Sequence, residues 1–118
     1  MADKLNSVED ADIDVDVFKY ILIRVNDPKE NQEKYIVRGY KWASYHGDIL
    51  DDVEPKITTL GLKCECVGGG RIRHKSEEKK IDVYGYSQGY GKADHNITCE
   101  ILKRKYPDYK ITITNEGY

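Results

Sequence analysis

The chain has 118 residues, 34% of them charged and 39% hydrophobic, with a formal net charge of -2. That length suits one domain with its own core and leaves no room for two. The slightly acidic balance excludes the basic footprint of a nucleic-acid binder. No apolar run approaches the ~20 residues of a membrane helix, and no basic start leads into an apolar stretch as in a secretory signal. The expectation is a cytoplasmic protein.

Residues 1–12 belong to an acidic, aromatic-free stretch with little periodicity, so a mobile tail is expected there, with the domain over 13–118. Asp12, Asp14 and Asp16 alternate like the start of a calcium loop. The loop glycine and the closing glutamate are replaced by Val17 and Ile23, which dismisses that motif. Val17 to Val25 is dense in β-branched and aromatic residues and predicts a central strand, interrupted by Lys19. Asn26 to Lys34 holds Asn-Asp-Pro and charges and predicts a loop. Tyr35 to Tyr40 predicts a second strand.

Ile49, Val53, Ile57 and Leu60 recur at helical spacing, and Gly61 supplies a stop, so a helix is predicted from near Tyr45 to Leu60. Pro55 is expected to kink or split it by clashing with the carbonyl of Asp51. Leu62 to Val67 and Arg71 to His74 predict two strands separated by Gly68-Gly69-Gly70. A charged turn then leads into a strand over Lys80 to Tyr86. A glycine-rich loop follows, then a helix from about Asp94 that turns Ile97, Ile101 and Leu102 inward and ends at Pro107. Tyr109 to Thr114 alternates as a last strand. The fold class expected is α+β: one domain, a mixed sheet of about six strands with two helices packed on it.

The three cysteines, Cys64, Cys66 and Cys99, are an odd count in a chain without a secretory signal, which argues against a disulfide framework. A zinc site wants a second pair that is missing. Cys64 and Cys66, two apart on a strand, share a face and read as small inward hydrophobes.

The segment from Tyr84 to Gly91 carries the most chemical information. It leaves a strand and enters a helix, and its glycines let backbone N–H groups approach an anion. It lacks the Gly-Lys-Ser/Thr ending of a Walker loop, and a tyrosine-rich connector is the bland alternative. Gly68-Gly69-Gly70 predicts a bulge or a close backbone contact rather than a phosphate cradle, although it could aim Arg71 at an anion. Of His46, His74 and His95, no pair has metal-ligand spacing on one helix face. His46, at the predicted helix start, could take a proton near pH 7, or simply lie on the surface. Lys19, inside an apolar strand, must face solvent or a polar pocket, since an unpaired buried ammonium is too costly.

Several long blocks then resemble the signature blocks of the janus family of phosphohistidine phosphatases: Val17 to Val25, Val37 to His46, Cys64 to Ile72, Val83 to Ser87, Lys105 to Tyr109 and Gly117-Tyr118. The resemblance runs from about Asp12 to the C-terminus, omitting the Asn26–Lys34 loop. It implies a monomeric cytoplasmic hydrolase that removes phosphate from histidine side chains of proteins, without metal or other cofactor. His46 matches the family's catalytic base, and Lys19 its phosphate-contacting lysine. Ser87, Gln88 and Gly89 match the loop whose backbone grips the phosphoryl oxygens. Tyr45, Arg38, Arg71 and His95 carry over as neighbours of the site. Gly47 and Gly89 stand where the family often has alanine. The implied mechanism is in-line attack of water on phosphorus. The competing readings are a phosphohistidine-binding regulatory module with little turnover, and a broader phosphoramidate (phospholysine) hydrolase.

Overall fold

The computed structural model describes residues 3–114; residues 1–2 and Gly117-Tyr118 lie outside the described residues. Six strands form one mixed sheet: β1 (Ala11–Ile13), β2 (Asp16–Asp27), β3 (Gln32–Tyr40), β4 (Lys63–Lys75), β5 (Lys80–Tyr84) and β6 (Lys110–Ile113), ordered β1-β3-β2-β4-β5-β6. The helices are a single turn, α1 (Asp3–Asn6), and two longer ones, α2 (His46–Thr58) and α3 (His95–Lys105). The architecture is the α+β domain expected, but the strands reach six by a different route.

The long strand β2 explains both faces. Its alternation sends Ile21, Ile23 and Val25 to one side, where they meet Ile36 and the Ile49, Val53 and Ile57 row of α2. Phe18, Tyr20 and Leu22 go to the other side, with Val37, Ile72, Ile81 and Val83 under Ile101 and Leu102 of α3. Burying each such aliphatic side chain contributes about 1.5–3 kcal/mol, so the period of two fixes which helix covers which face.

Four expectations need correction. The two strands predicted at Leu62–Val67 and Arg71–His74 are one strand, β4. The glycines do not break it; they accompany a bulge where β2 pairing shifts between Leu22 and Ile23, leaving Val67 as the extra residue. The expected Asn26–Lys34 loop is mostly hairpin, because the β2–β3 ladder runs on to Asn26–Glu33 and Asp27–Gln32. Asp27 Oδ1 closes the short turn by accepting from the N–H groups of Lys29 (3.1 Å) and Glu30 (3.3 Å). Pro55 does not split α2, which runs unbroken through it. Pro55 sits in the last turn, and its carbonyl accepts from Thr59 N–H at 3.1 Å.

The fourth concerns the expected tail over 1–12. Residues 3–6 form α1, β1 adds to the sheet edge in parallel with β3, and Leu5, Val8 and Ala11 are buried. Arg38 Nη2 donates to the Glu9 carbonyl at 2.8 Å and Lys34 Nζ pairs with Asp10 at 2.9 Å. Three inward residues spaced by three are too few to make a periodic signal. What orders the segment is the edge of β3, far away in sequence.

Candidate active site

His46 is the first residue of α2. Tyr45 before it is extended (φ -132°, ψ 154°), and its N–H is held at 2.9 Å by the Asp48 carboxylate, which fixes where the helix begins. The imidazole lies against β4. A Cβ at Gly69 would stand 2.7 Å from His46 Cδ2, so only glycine leaves room for the ring. Nε2 lies 2.9 Å from the Gly70 carbonyl oxygen. A carbonyl only accepts, so Nε2 carries the proton and Nδ1 keeps its lone pair, with no protein partner among the described residues. Burial, with Lys19 and Arg71 nearby, pushes the pKa below the ordinary histidine value, against a smaller opposing effect of the Gly70 carbonyl. The ring is therefore a neutral base at neutral pH.

The Lys19 anomaly resolves through the sheet. Lys19 shares a face with Ile21, but α2 begins at His46 and covers the sheet only from Ile21 onward, so Lys19 lies just past the helix end. Arg71 is its register partner on β4 and points the same way. Lys19, Arg71, His46, Tyr45, Ser44, Gly47 and residues 86–90 line a cavity of about 590 Å³.

The 85–93 loop docks onto β4 through Gly69, whose N–H donates to the Gly91 carbonyl (3.0 Å) and whose carbonyl accepts from Ala93 N–H (3.1 Å). Gly68, at φ +145°, lets Ala93 sit where a Cβ would be 2.6 Å away. Within the loop, Ser87 and Gly91 exchange backbone hydrogen bonds (3.1 and 2.8 Å), and Ser87 Oγ accepts from Tyr90 N–H at 3.2 Å. The Ser87 N–H, one of the expected anion donors, is thus engaged within the loop. Ser87 can offer its hydroxyl proton instead. The N–H groups of Gln88 and Gly89 make no hydrogen bond to the described residues. A Cβ at Gly89 meets nothing within 4 Å and one at Gly47 only Tyr90 Oη at 3.6 Å, so alanine would fit at both departures from the family pattern.

Two expected neighbours lie elsewhere. Arg38 is 7% exposed and lines a separate cleft of about 240 Å³ beneath residues 7–9, its guanidinium spent on the Val37 and Glu9 carbonyls (2.9 and 2.8 Å). His95 is 3% exposed and opens α3, with its ring turned to the opposite face of the sheet against Tyr20. Its Nε2–H donates to the Gly85 carbonyl at 2.9 Å, and Tyr20 Oη–H donates to its Nδ1 at 2.6 Å. Burial lowers its pKa too. Tyr45 and Arg71 do line the cavity. Sequence reasoning passed over Tyr86, Tyr90 and Ser44 as lining residues. The first two sit inside the loop already singled out. The roles of Gly69 and Gly70 as seats for two imidazoles had only the glycine run as a signal.

Cys64 and Cys66 are half-buried on the α2 face and Cys99 is buried; all three are free, and burial raises each thiol pKa, Cys64 to about 11. Among the described residues no three His, Cys, Asp or Glu side chains gather as metal ligands, and no helix is long and apolar enough to cross a membrane.

Comparison with known proteins extends these observations. A family model described as Janus/Ocnus family (Ocnus) matches residues 5–110. The chain is 52% identical over 120 residues to a Sus scrofa protein named 14 kDa phosphohistidine phosphatase, covering 97% of this chain and 95% of that one. The Homo sapiens protein of the same name is 54% identical over 117 residues, 94% of each. The sex-regulated protein janus-A of Drosophila yakuba is 52% identical over 102 residues, 86% of this chain and 75% of that protein.

Proposed function

Because the chain belongs to the Janus/Ocnus family, we propose that it is a protein phosphohistidine phosphatase, as two highly similar relatives are named. The observation that carries the reading is the state of His46: Nε2 held by the Gly70 carbonyl, Nδ1 left as a lone pair, in a cavity shared with Lys19 and Arg71.

In this mechanism the phosphoryl group of the substrate enters with its oxygens toward Lys19 and the unengaged N–H groups of Gln88 and Gly89. The Ser87 hydroxyl and Arg71 stand beside them. Water attacks phosphorus opposite the P–N bond and gives its proton to His46 Nδ1. The bonding pair of the P–N bond leaves with the substrate imidazole nitrogen, and a proton on the other nitrogen of that ring lets it depart as neutral imidazole. Imidazole is a good leaving group, so positioning and neutralisation of the equatorial oxygens supply most of the acceleration. Gly70 acts as the orienter of the base by fixing the tautomer. The chemistry uses no metal, and the protein acts in the cytoplasm as a monomer on phosphohistidine-containing proteins.

The test is phosphate release from a phosphohistidine peptide with and without EDTA. Catalytic release at equal rates in both is expected. Binding without turnover would make the chain a regulatory module, and loss on chelation restored by a divalent ion would overturn the mechanism.

A further inference from the structure

The two sheet faces are covered unequally. On the α3 side Phe18, Tyr20 and Leu22 of β2 are buried, whereas on the other side α2 starts at His46 and leaves the first part of β2 open. Val17 is 48% exposed although β2 is an inner strand, so no element among the described residues covers it. Val17 lies two residues before Lys19 on the same face, and its partner on β4 is Arg73. On the other side, Lys19 pairs with Tyr40, and Trp42 two residues on stacks against Tyr40 with ring centroids 5.3 Å apart. Trp42 is 56% exposed. An exposed valine and an exposed indole therefore flank Lys19 on the outer side of the cavity, continuous with it through Lys19 and Arg71. Exposed apolar surface beside a polar cleft marks a contact site.

We propose that Val17 and Trp42 form a specificity subsite for the polypeptide carrying the phosphohistidine, receiving an apolar side chain two residues from it. The spacing carries this assignment. Val17 and Lys19 are two residues apart on one strand, ~6.6–6.8 Å, and an extended peptide places its own i and i+2 side chains the same distance apart on one side. With the peptide running along β2, a phosphohistidine whose phosphoryl group reaches Lys19 puts the side chain two residues away over Val17, on the side where Trp42 is exposed. Arg73, paired with Asp82 at 3.1 Å, edges the subsite with its guanidinium. The occupant is an extended segment of the substrate protein. The inference rests on the reading of the His46 cavity as the phosphohistidine site.

The experiment compares kcat/KM for phosphohistidine peptides bearing Leu or Ser two residues before or after the phosphohistidine, with a small phosphoramidate as a second substrate. The Leu peptide is expected to exceed the Ser peptide by about tenfold at one of the two positions, as a filled apolar subsite provides. In Val17→Ser/Trp42→Ala the ratio of Leu-peptide to phosphoramidate kcat/KM should fall by about the same factor. Equal rates for Leu and Ser at both positions, or an unchanged ratio in the variant, would overturn the subsite. Failure of the parent protein to hydrolyse any of these substrates would instead overturn the activity on which the subsite rests.

Discussion

His46 and His95 are built alike and placed alike, yet only one keeps a ring nitrogen unspent. Each opens a helix, each packs against a glycine of β4 from its own side of the sheet, and each donates Nε2–H to a glycine carbonyl at 2.9 Å. In both, burial favours the neutral ring. The difference lies at Nδ1. For His95 that lone pair receives the Tyr20 hydroxyl at 2.6 Å, and the residue is buried. For His46 it has no protein partner among the described residues, and the ring borders the cavity. A histidine becomes a base when its environment fixes one nitrogen and leaves the other unspent. His95 is spent on both, and it anchors the start of the 85–93 loop.

The most forceful way to break the comparison is to remove the unspent base. His46→Ala should lower kcat by about 10²–10⁴-fold with little change in the denaturation midpoint. Rapid quenching under alkaline conditions should find no phosphoryl group on the wild-type enzyme during turnover. Stoichiometric phospho-His46 would recast the residue as a nucleophile.

Gly69→Ala leaves the base in the sequence but contests its seat, with the new Cβ 2.7 Å from His46 Cδ2 and 2.8 Å from the Tyr20 carbonyl oxygen. A loss of about 10²-fold is expected from misplacement alone, with the sheet retained by circular dichroism. Activity within threefold of the parent would show that the ring needs no such seat.

Lys19→Ala sharpens the electrostatic side. Losing a charge-assisted contact worth roughly 1.5–3 kcal/mol should cost about one to two orders of magnitude in kcat/KM. The pH profile carries the finer signature. In the proposed mechanism His46 acts as the neutral ring, so the rate should rise with pH through its folded pKa, which lies below the ordinary value of about 6.5. Lys19 helps to hold that pKa down, so removing it should move the acid limb to higher pH. A limb that stays put would separate Lys19 from the base.

Tyr20→Phe probes the other histidine and should affect stability more than chemistry. It deletes the hydroxyl that reaches His95 Nδ1 and Thr98 Oγ1 (3.0 Å) and strands both in the interior, at a cost of about 1–3 kcal/mol measurable by urea denaturation. Turnover should drop less than tenfold. A larger loss of activity than of stability would mean that Tyr20 reaches the chemistry through His95 and the loop.

The legibility of the molecule follows the range of the interactions. The Ile49, Val53 and Ile57 row of α2 and the alternation through β2 were readable because neighbours in sequence alone set them. The breadth of β4 was not. Glycines usually weaken a strand, and only the rings packed on either side of Gly69 and Gly70, with Ala93 against Gly68, explain why three stand inside one. The ordered N-terminal segment was hidden because its partner is the edge of β3. Within the site, Lys19 drew notice as a charge in an apolar run, and the Tyr84–Gly91 loop as glycines between strand and helix. Nothing local distinguished the committed Ser87 N–H from its two unengaged neighbours.

By itself the sequence determined the α+β class, the two main helices and the family blocks, and it singled out His46 and the Tyr84–Gly91 loop. These depend on residue type and short spacing. Only the tertiary structure decided that Arg38 and His95 stand outside the cavity while Arg71 and Tyr45 line it. Only it divided the labour of two similar histidines. That division turns on which face of the sheet a side chain leaves by and which atom meets it there, and those are distances across strands that no local pattern encodes.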